Sequence, residues 1–159
     1  VYITSSLDDK EYLVRNTSHR VESANTLARL NKKISTFISR LENVNNPNFS
    51  PFVKRLRSRY NPNSLSEGLT NDPELTSYTL NKEHVTLCLR TRDEKDELYD
   101  DSVLFPVILH ELAHVGSLTT SHNDEFYKNE DYLKKEAMKF GMYKPLTEQV
   151  NYCGIFTQL

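Results

Sequence analysis

The sequence predicts an α+β fold that is mostly helical, with a small antiparallel sheet. Three observations carry that expectation. Apolar residues recur at three- and four-residue steps from Val21 to Val44, the mark of a long amphipathic helix. A second helix-length stretch, Val103 to Val115, is almost continuously apolar, as a buried helix would be. Between them Tyr78, Leu80, Val85, Leu87 and Leu89 alternate across a polar Asn81-Lys82-Glu83 break, the pattern of a β-hairpin. The chain has 159 residues, and a domain of that size buries roughly two thirds of its unfolded surface without a disulfide framework. Residues 1–159 are therefore read as one domain, with 1–17 and 141–159 as peripheral arms.

Composition removes several functions. Mean hydropathy is −0.63, and no window approaches the roughly 18 consecutive apolar residues of a membrane span. Twenty Lys and Arg against 22 Asp and Glu leave a net charge of −2, which argues against a protein that coats nucleic acid. The four glycines, Gly68, Gly116, Gly141 and Gly154, are widely separated, so no phosphate-cradling loop is present. Two cysteines, Cys88 and Cys153, make neither a disulfide scaffold nor a cysteine-rich metal site, and an intracellular, reduced setting fits them. The chain opens at Val1 rather than Met, which leaves room for an upstream signal or anchor.

Taken in order, Val1 to Arg15 alternates loosely and suits one or two short strands. The long helix follows, with Thr17 or Ser18 as N-cap and Asn45-Asn46-Pro47 as its stop. Ser50 to Tyr60 sets Lys54, Arg55, Arg57 and Arg59 beside Phe52, Leu56 and Tyr60. A solvated helix face is the plainer account of those cations, and a weak nucleic-acid contact the other. Asn61 to Pro73 reads as loop, with Asn61-Pro62, Gly68 and Asn71-Asp72-Pro73 as its turn signals. The hairpin is expected over Thr76 to Arg90, with Cys88 in its core, followed by an acidic loop from Asp93 to Asp101. Asp100 or Asp101 caps the apolar helix, and Pro106 suits its first turn, so the regular part should begin near Leu104 or Phe105.

Three polar residues interrupt that greasy helix: His110, Glu111 and His114, in the run H-E-L-A-H. Residues four apart lie one turn apart on the same face, so both imidazoles can reach one cation. Glu111 sits about 100° around the helix, beside the open position rather than among the ligands. Zinc with neutral ligands brings the pKa of a bound water toward about 7, and an adjacent carboxylate can take its proton. Burying such groups in an apolar helix costs several kcal/mol unless they have strong partners, which a cation supplies. Gly116 and the small polar run Ser117 to Ser121 let the chain turn back and bring up His122 as third ligand, with Asp124, Glu130 and Glu136 as rivals. A further helix is expected from Asp124 to Phe140, ended by Gly141 and Pro145. Glu130 falls on its core face, where it could accept the outer N–H of a ligand histidine. His19 and His84 read as ordinary, and Tyr152 is a candidate O–H donor to a tetrahedral intermediate.

The run His110 to His114, followed after a short linker by His122-x-x-x-Phe126, resembles the minimal zincins of the WLM and SprT-like groups. With Glu11-Tyr12-Leu13-Val14-Arg15-Asn16 and Val150-Asn151-Tyr152-Cys153-Gly154, the pattern is similar to the WLM-like metallopeptidases of large DNA viruses. That resemblance implies a minimal zincin-like domain holding one Zn²⁺ through His110, His114 and His122, with Glu111 as general base and acid. It implies a protein or peptide substrate, DNA-associated proteins among them, and a location in host cytoplasm or virion. A metzincin would need a histidine where Thr120 stands. By this reading a substrate backbone adds a strand along the edge of Val85 to Arg90. The alternative is a zinc-stabilised binding module with no catalysis, its metal closed by a fourth ligand from Asp124, Glu130 or Cys153.

Overall fold

A computed structural model describes residues 1–68 and 77–159. The expected turn signal Asn71-Asp72-Pro73 and the hairpin's first residue, Thr76, lie outside the described residues. Strands β1 (Tyr2–Thr4) and β2 (Glu11–Leu13) form an antiparallel pair ahead of the long helix α1 (Arg20–Val44). Helix α2 (Ser50–Arg59) and a short 3-10 turn (Pro62–Ser64) lead to β3 (Ser66–Glu67). Then come β4 (Tyr78–Leu80), β5 (His84–Leu87), α3 (Asp101–Gly116), α4 (Asp124–Lys139) and a closing antiparallel hairpin, β6 (Val150–Tyr152) and β7 (Ile155–Thr157).

The core is the buried stripe of α1, from Ala24 through Ile34 and Phe37 to Leu41, packed with α2 and α3. Phe37 meets Phe105 of α3 edge to face, centroids 5.8 Å apart. Val21 and Val44, counted in that stripe by periodicity, lie outside it at the helix ends, 57% and 44% exposed. The terminal segments expected as peripheral arms both send side chains inward, with Tyr12, Val14, Tyr152 and Cys153 buried. Asn31 ties the first segment to the core, donating to the Tyr12 hydroxyl at 3.1 Å and accepting from the Tyr60 hydroxyl at 2.6 Å.

Local expectations needed four corrections. α1 begins at Arg20, because Thr17 accepts from the His19 N–H through its own hydroxyl and turns the chain before the helix starts. α3 begins at Asp101, several residues before the expected Leu104, because Asp100 accepts from the Ser102 N–H at 3.0 Å and nucleates the first turn. Pro106 is thus inside the helix, where it withholds the N–H that would have met the Ser102 carbonyl. The sheet of the hairpin is mixed, in the order β3-β5-β4, with β3 parallel to β5. The arm expected to offer a free edge, Val85 to Arg90, is therefore the central strand over His84–Leu87, paired on both sides. Cys88 and Cys153, expected as reduced thiols, form a disulfide across 65 residues, with Cα atoms 6.5 Å apart. The Tyr152 hydroxyl holds the two segments together by donating to the Cys88 carbonyl at 2.8 Å and accepting from its N–H at 3.1 Å. No helix among the described residues is long and apolar enough to cross a membrane.

Candidate metal centre

The last turns of α3 carry His110, Glu111 and His114, while His122 precedes the N-cap of α4, Asn123, whose side chain accepts from the Phe126 N–H. One ligand atom from each of His110, His114 and His122 lies within 4.8 Å of the others, a group that could hold a metal ion. The Nε2 atoms of His114 and His122 face each other at 2.8 Å. Phe126 supplies an apolar floor beneath all three rings, its centroid 4.3 Å from that of His114, 4.7 Å from His122 and 5.0 Å from His110. The linker that delivers His122 is pinned: Glu125 accepts from the Leu118 N–H at 2.7 Å, and Asn123 donates to the Thr119 hydroxyl at 2.7 Å.

Each polar group of the H-E-L-A-H run finds a partner from another element. Glu130 of α4 stands 2.5 Å from Nδ1 of His110, which fixes the ring and leaves Nε2 for a ligand role. Glu111, 3% exposed, accepts from the Ser77 hydroxyl on one oxygen and the Thr79 hydroxyl on the other, both at 2.9 Å. Lys82, at the hairpin turn, donates to the His114 carbonyl at 2.9 Å and the Thr119 carbonyl at 2.6 Å. Arg55 and Arg59 of α2 complete the C-terminal cap of α3, reaching the carbonyls of Gly116 at 2.8 Å and Ser117 at 2.9 Å. Gly116 is required there, since a Cβ would lie 2.4 Å from Cε1 of Phe52.

The electrostatics follow from these contacts. Burial alone would push His110 down, but the Glu130 hydrogen bond and the Glu111 and Glu130 charges outweigh it and hold its pKa above 6.5. Burial would likewise raise Glu130, yet the His110 hydrogen bond and the Lys134 charge leave it below the usual carboxylate value. Burial raises Glu111, against the lowering pull of His110 and of the Thr79 and Ser77 hydroxyls. His114 is brought down to about 4 by burial first, then by the charges of His110, His122 and Lys82, so it stays neutral and free to donate a lone pair. The donor set suits zinc: three imidazole nitrogens, one with its tautomer fixed, and a carboxylate set beside them.

The rival ligands are engaged elsewhere. Glu130 serves His110, buried Glu136 pairs with Lys139 at 3.3 Å, and Asp124 is exposed in the first turn of α4. Cys153 is held in the disulfide. The hydroxyl of Tyr152, expected to face an intermediate, is engaged with the Cys88 backbone. His19 and His84 stand apart from the cluster. Of the basic run, Arg55 and Arg59 cap α3 and Arg57 binds Glu42 at 2.7 Å, while Lys54 is exposed. Ser77, Thr79 and Lys82 escaped the sequence reading. Ser77 and Thr79 stand two apart at the start of the hairpin arm, where alternate residues share a face, but nothing in that spacing names their acceptor.

An α+β fold with small sheets around an H-E-x-x-H helix and a third histidine before the next helix defines the minimal zincin-like class. The chain matches the WLM domain over residues 32–154 and belongs to that family. An uncharacterized protein of Acanthamoeba polyphaga mimivirus is 32% identical over 160 residues, 97% of this chain and 80% of its own. Uncharacterized proteins of invertebrate iridescent viruses 3 and 6 are 36% and 30% identical, covering 69% and 89% of this chain and 68% and 71% of theirs. Wss1 from Saccharomyces cerevisiae aligns with 48% of this chain and 62% of its own, at 24% identity and a TM-score of 0.41. This chain thus spans less than two thirds of that structure's length.

Proposed function

We propose that the chain is a zinc-dependent peptidase, acting as one zincin-like unit over 1–159, in which His110, His114 and His122 hold the metal and Glu111 is general base and acid. The observation that carries the reading is a buried carboxylate held on both oxygens by hydroxyls, adjacent in sequence to the first of three converging imidazoles. A zinc ion there would supply Lewis acidity, polarising the scissile carbonyl and acidifying the attacking water. Glu111 takes the proton of that water and returns it to the leaving amine. Its raised proton affinity suits the first task, and the Ser77 and Thr79 hydroxyls keep it aimed for both. Glu130 holds His110 in the tautomer that presents Nε2. The candidates for a fourth, closing ligand are engaged or turned outward, which favours an open catalytic position over a structural one.

A substrate strand belongs beside β4 rather than β5. Among the described residues β4 pairs only with β5, and its Thr79 already touches Glu111. Protein or peptide substrates follow from this chemistry, and the family resemblance extends the proposal to DNA-associated proteins. The test is zinc content by mass spectrometry together with cleavage of a denatured protein substrate. One zinc per chain with cleavage abolished by chelator and by Glu111→Gln is expected. A Glu111→Gln protein that retains both zinc and full cleavage would overturn the mechanism.

A further inference from the structure

Two cavities, of about 340 and 350 Å³, flank the candidate centre and share Ser77, His110 and Glu111 in their walls. A peptide crossing the centre would place one neighbouring residue in each. They differ in the lysine each carries. In the cavity under the hairpin turn Lys82 lies beside Asn81 and Thr120, and its ammonium is taken by the carbonyls of His114 and Thr119. The cavity on the α4 side mixes aliphatic Val107, Ile155 and Leu159 with polar Thr157 and Gln158, and its lysine is Lys134.

Lys134 follows Glu130 by one helical turn and is half-buried. It lines the same cavity as His110, Glu111 and Glu130. Yet its ammonium makes no hydrogen bond or ion pair among the described residues, in contrast to Lys82, Arg55 and Arg59. The two carboxylates in this cavity are committed: Glu130 to Nδ1 of His110, Glu111 to the Ser77 and Thr79 hydroxyls. A divalent ion at the histidines would balance those two carboxylates, which leaves Lys134 as the uncompensated charge of the cavity.

We propose that the α4-side cavity is a substrate subsite that selects an acidic side chain with an aliphatic stem, glutamate above all, and that Lys134 sets this selection. The inference rests on the peptidase reading above. The stem packs on Val107, Ile155 and Leu159 while the carboxylate meets the ammonium, and a lysine or arginine in the same place meets a like charge in a partly desolvated cavity.

The test uses the zinc-loaded chain and peptides identical except at the two residues flanking the scissile bond. At one of those positions glutamate should raise kcat/KM over lysine by about tenfold, the scale of a partly buried charge pair. Lys134→Met should abolish the preference and Lys134→Glu invert it. Zinc-loaded Glu111→Gln protein should bind the same peptides in the same order, read by fluorescence anisotropy without turnover. Peptides that are cut or bound with no charge preference, or with a preference unchanged in both Lys134 variants, would overturn the subsite while leaving the peptidase intact. Peptides neither cut by the native chain nor bound by Glu111→Gln would remove the peptidase reading, and this subsite with it.

Discussion

Helices α3 and α4 have the same length, 16 residues each, and opposite characters. α3 is apolar on nearly every side, with Asp101 and Ser102 at its start and His110, Glu111 and His114 in its C-terminal half. α4 is amphipathic, and its buried face is mixed: Phe126 under the histidine rings, Asn129 donating to Ser117, and Glu130 on His110. In the proposed mechanism one helix supplies the reacting groups and the other orients them. A group buried in an apolar helix cannot solvate itself, so its geometry is only as good as the partner brought to it from elsewhere.

Breaking α3 should have the largest effects. His110→Ala or His114→Ala should remove the bound metal, read as loss of zinc after gel filtration, with loss of all hydrolysis. Glu111→Gln should keep the zinc and lower kcat by about 10²- to 10⁴-fold, the range of a general acid–base group. Breaking α4 should cost less. Glu130→Gln keeps the shape but weakens the acceptor on His110, and zinc affinity measured by competition should fall about 10- to 100-fold. The packing that seats the end of α3 on α2 comes next. Gly116→Ala brings a Cβ against the Phe52 ring and should destabilise the chain by about 1–3 kcal/mol in denaturant titrations.

The smallest effect is a pH dependence of the metal-free protein. His114 binds its proton more weakly folded, at about 4, than at its ordinary 6.5, so between these values the unfolded chain holds more protons. The contribution of His114 to stability is thus complete above about 6.5 and lost as pH falls toward about 4. In chelator, the melting temperature should drop over that window, and His114→Gln should flatten the slope. An unchanged slope would mean that the neutral imidazole is not what burial protects.

What the sequence disclosed tracks how far apart the interacting residues are. H-E-L-A-H is legible because one turn of helix fixes the relation of His110 to His114. The same periodicity put Glu130 on the inner face of α4 and so offered it as a partner for one of the histidines, and it stands against His110. His122 could be named but not separated from its rivals, since a linker's path depends on the carbonyls and amides that pin it. Ser77 and Thr79 gave no hint of their acceptor, because that pairing joins a strand to a helix more than thirty residues away in the chain. Strand order failed for the same reason: β3 reaches β5 only through the fold. The arginines of α2 looked like a surface feature until the helix end they cap was beside them.

The bridge between Cys88 and Cys153 encloses more than its two strands. The closed ring of chain contains α3, the linker, His122 and α4, so both helices and every proposed ligand lie within one covalent loop. The linker is an exposed part of that loop, with Leu118 65% exposed. A single nick there would sever the backbone between His114 and His122 without releasing either helix. The two fragments would travel as one species until a reductant parted them, and a cut chain could still present all three imidazoles.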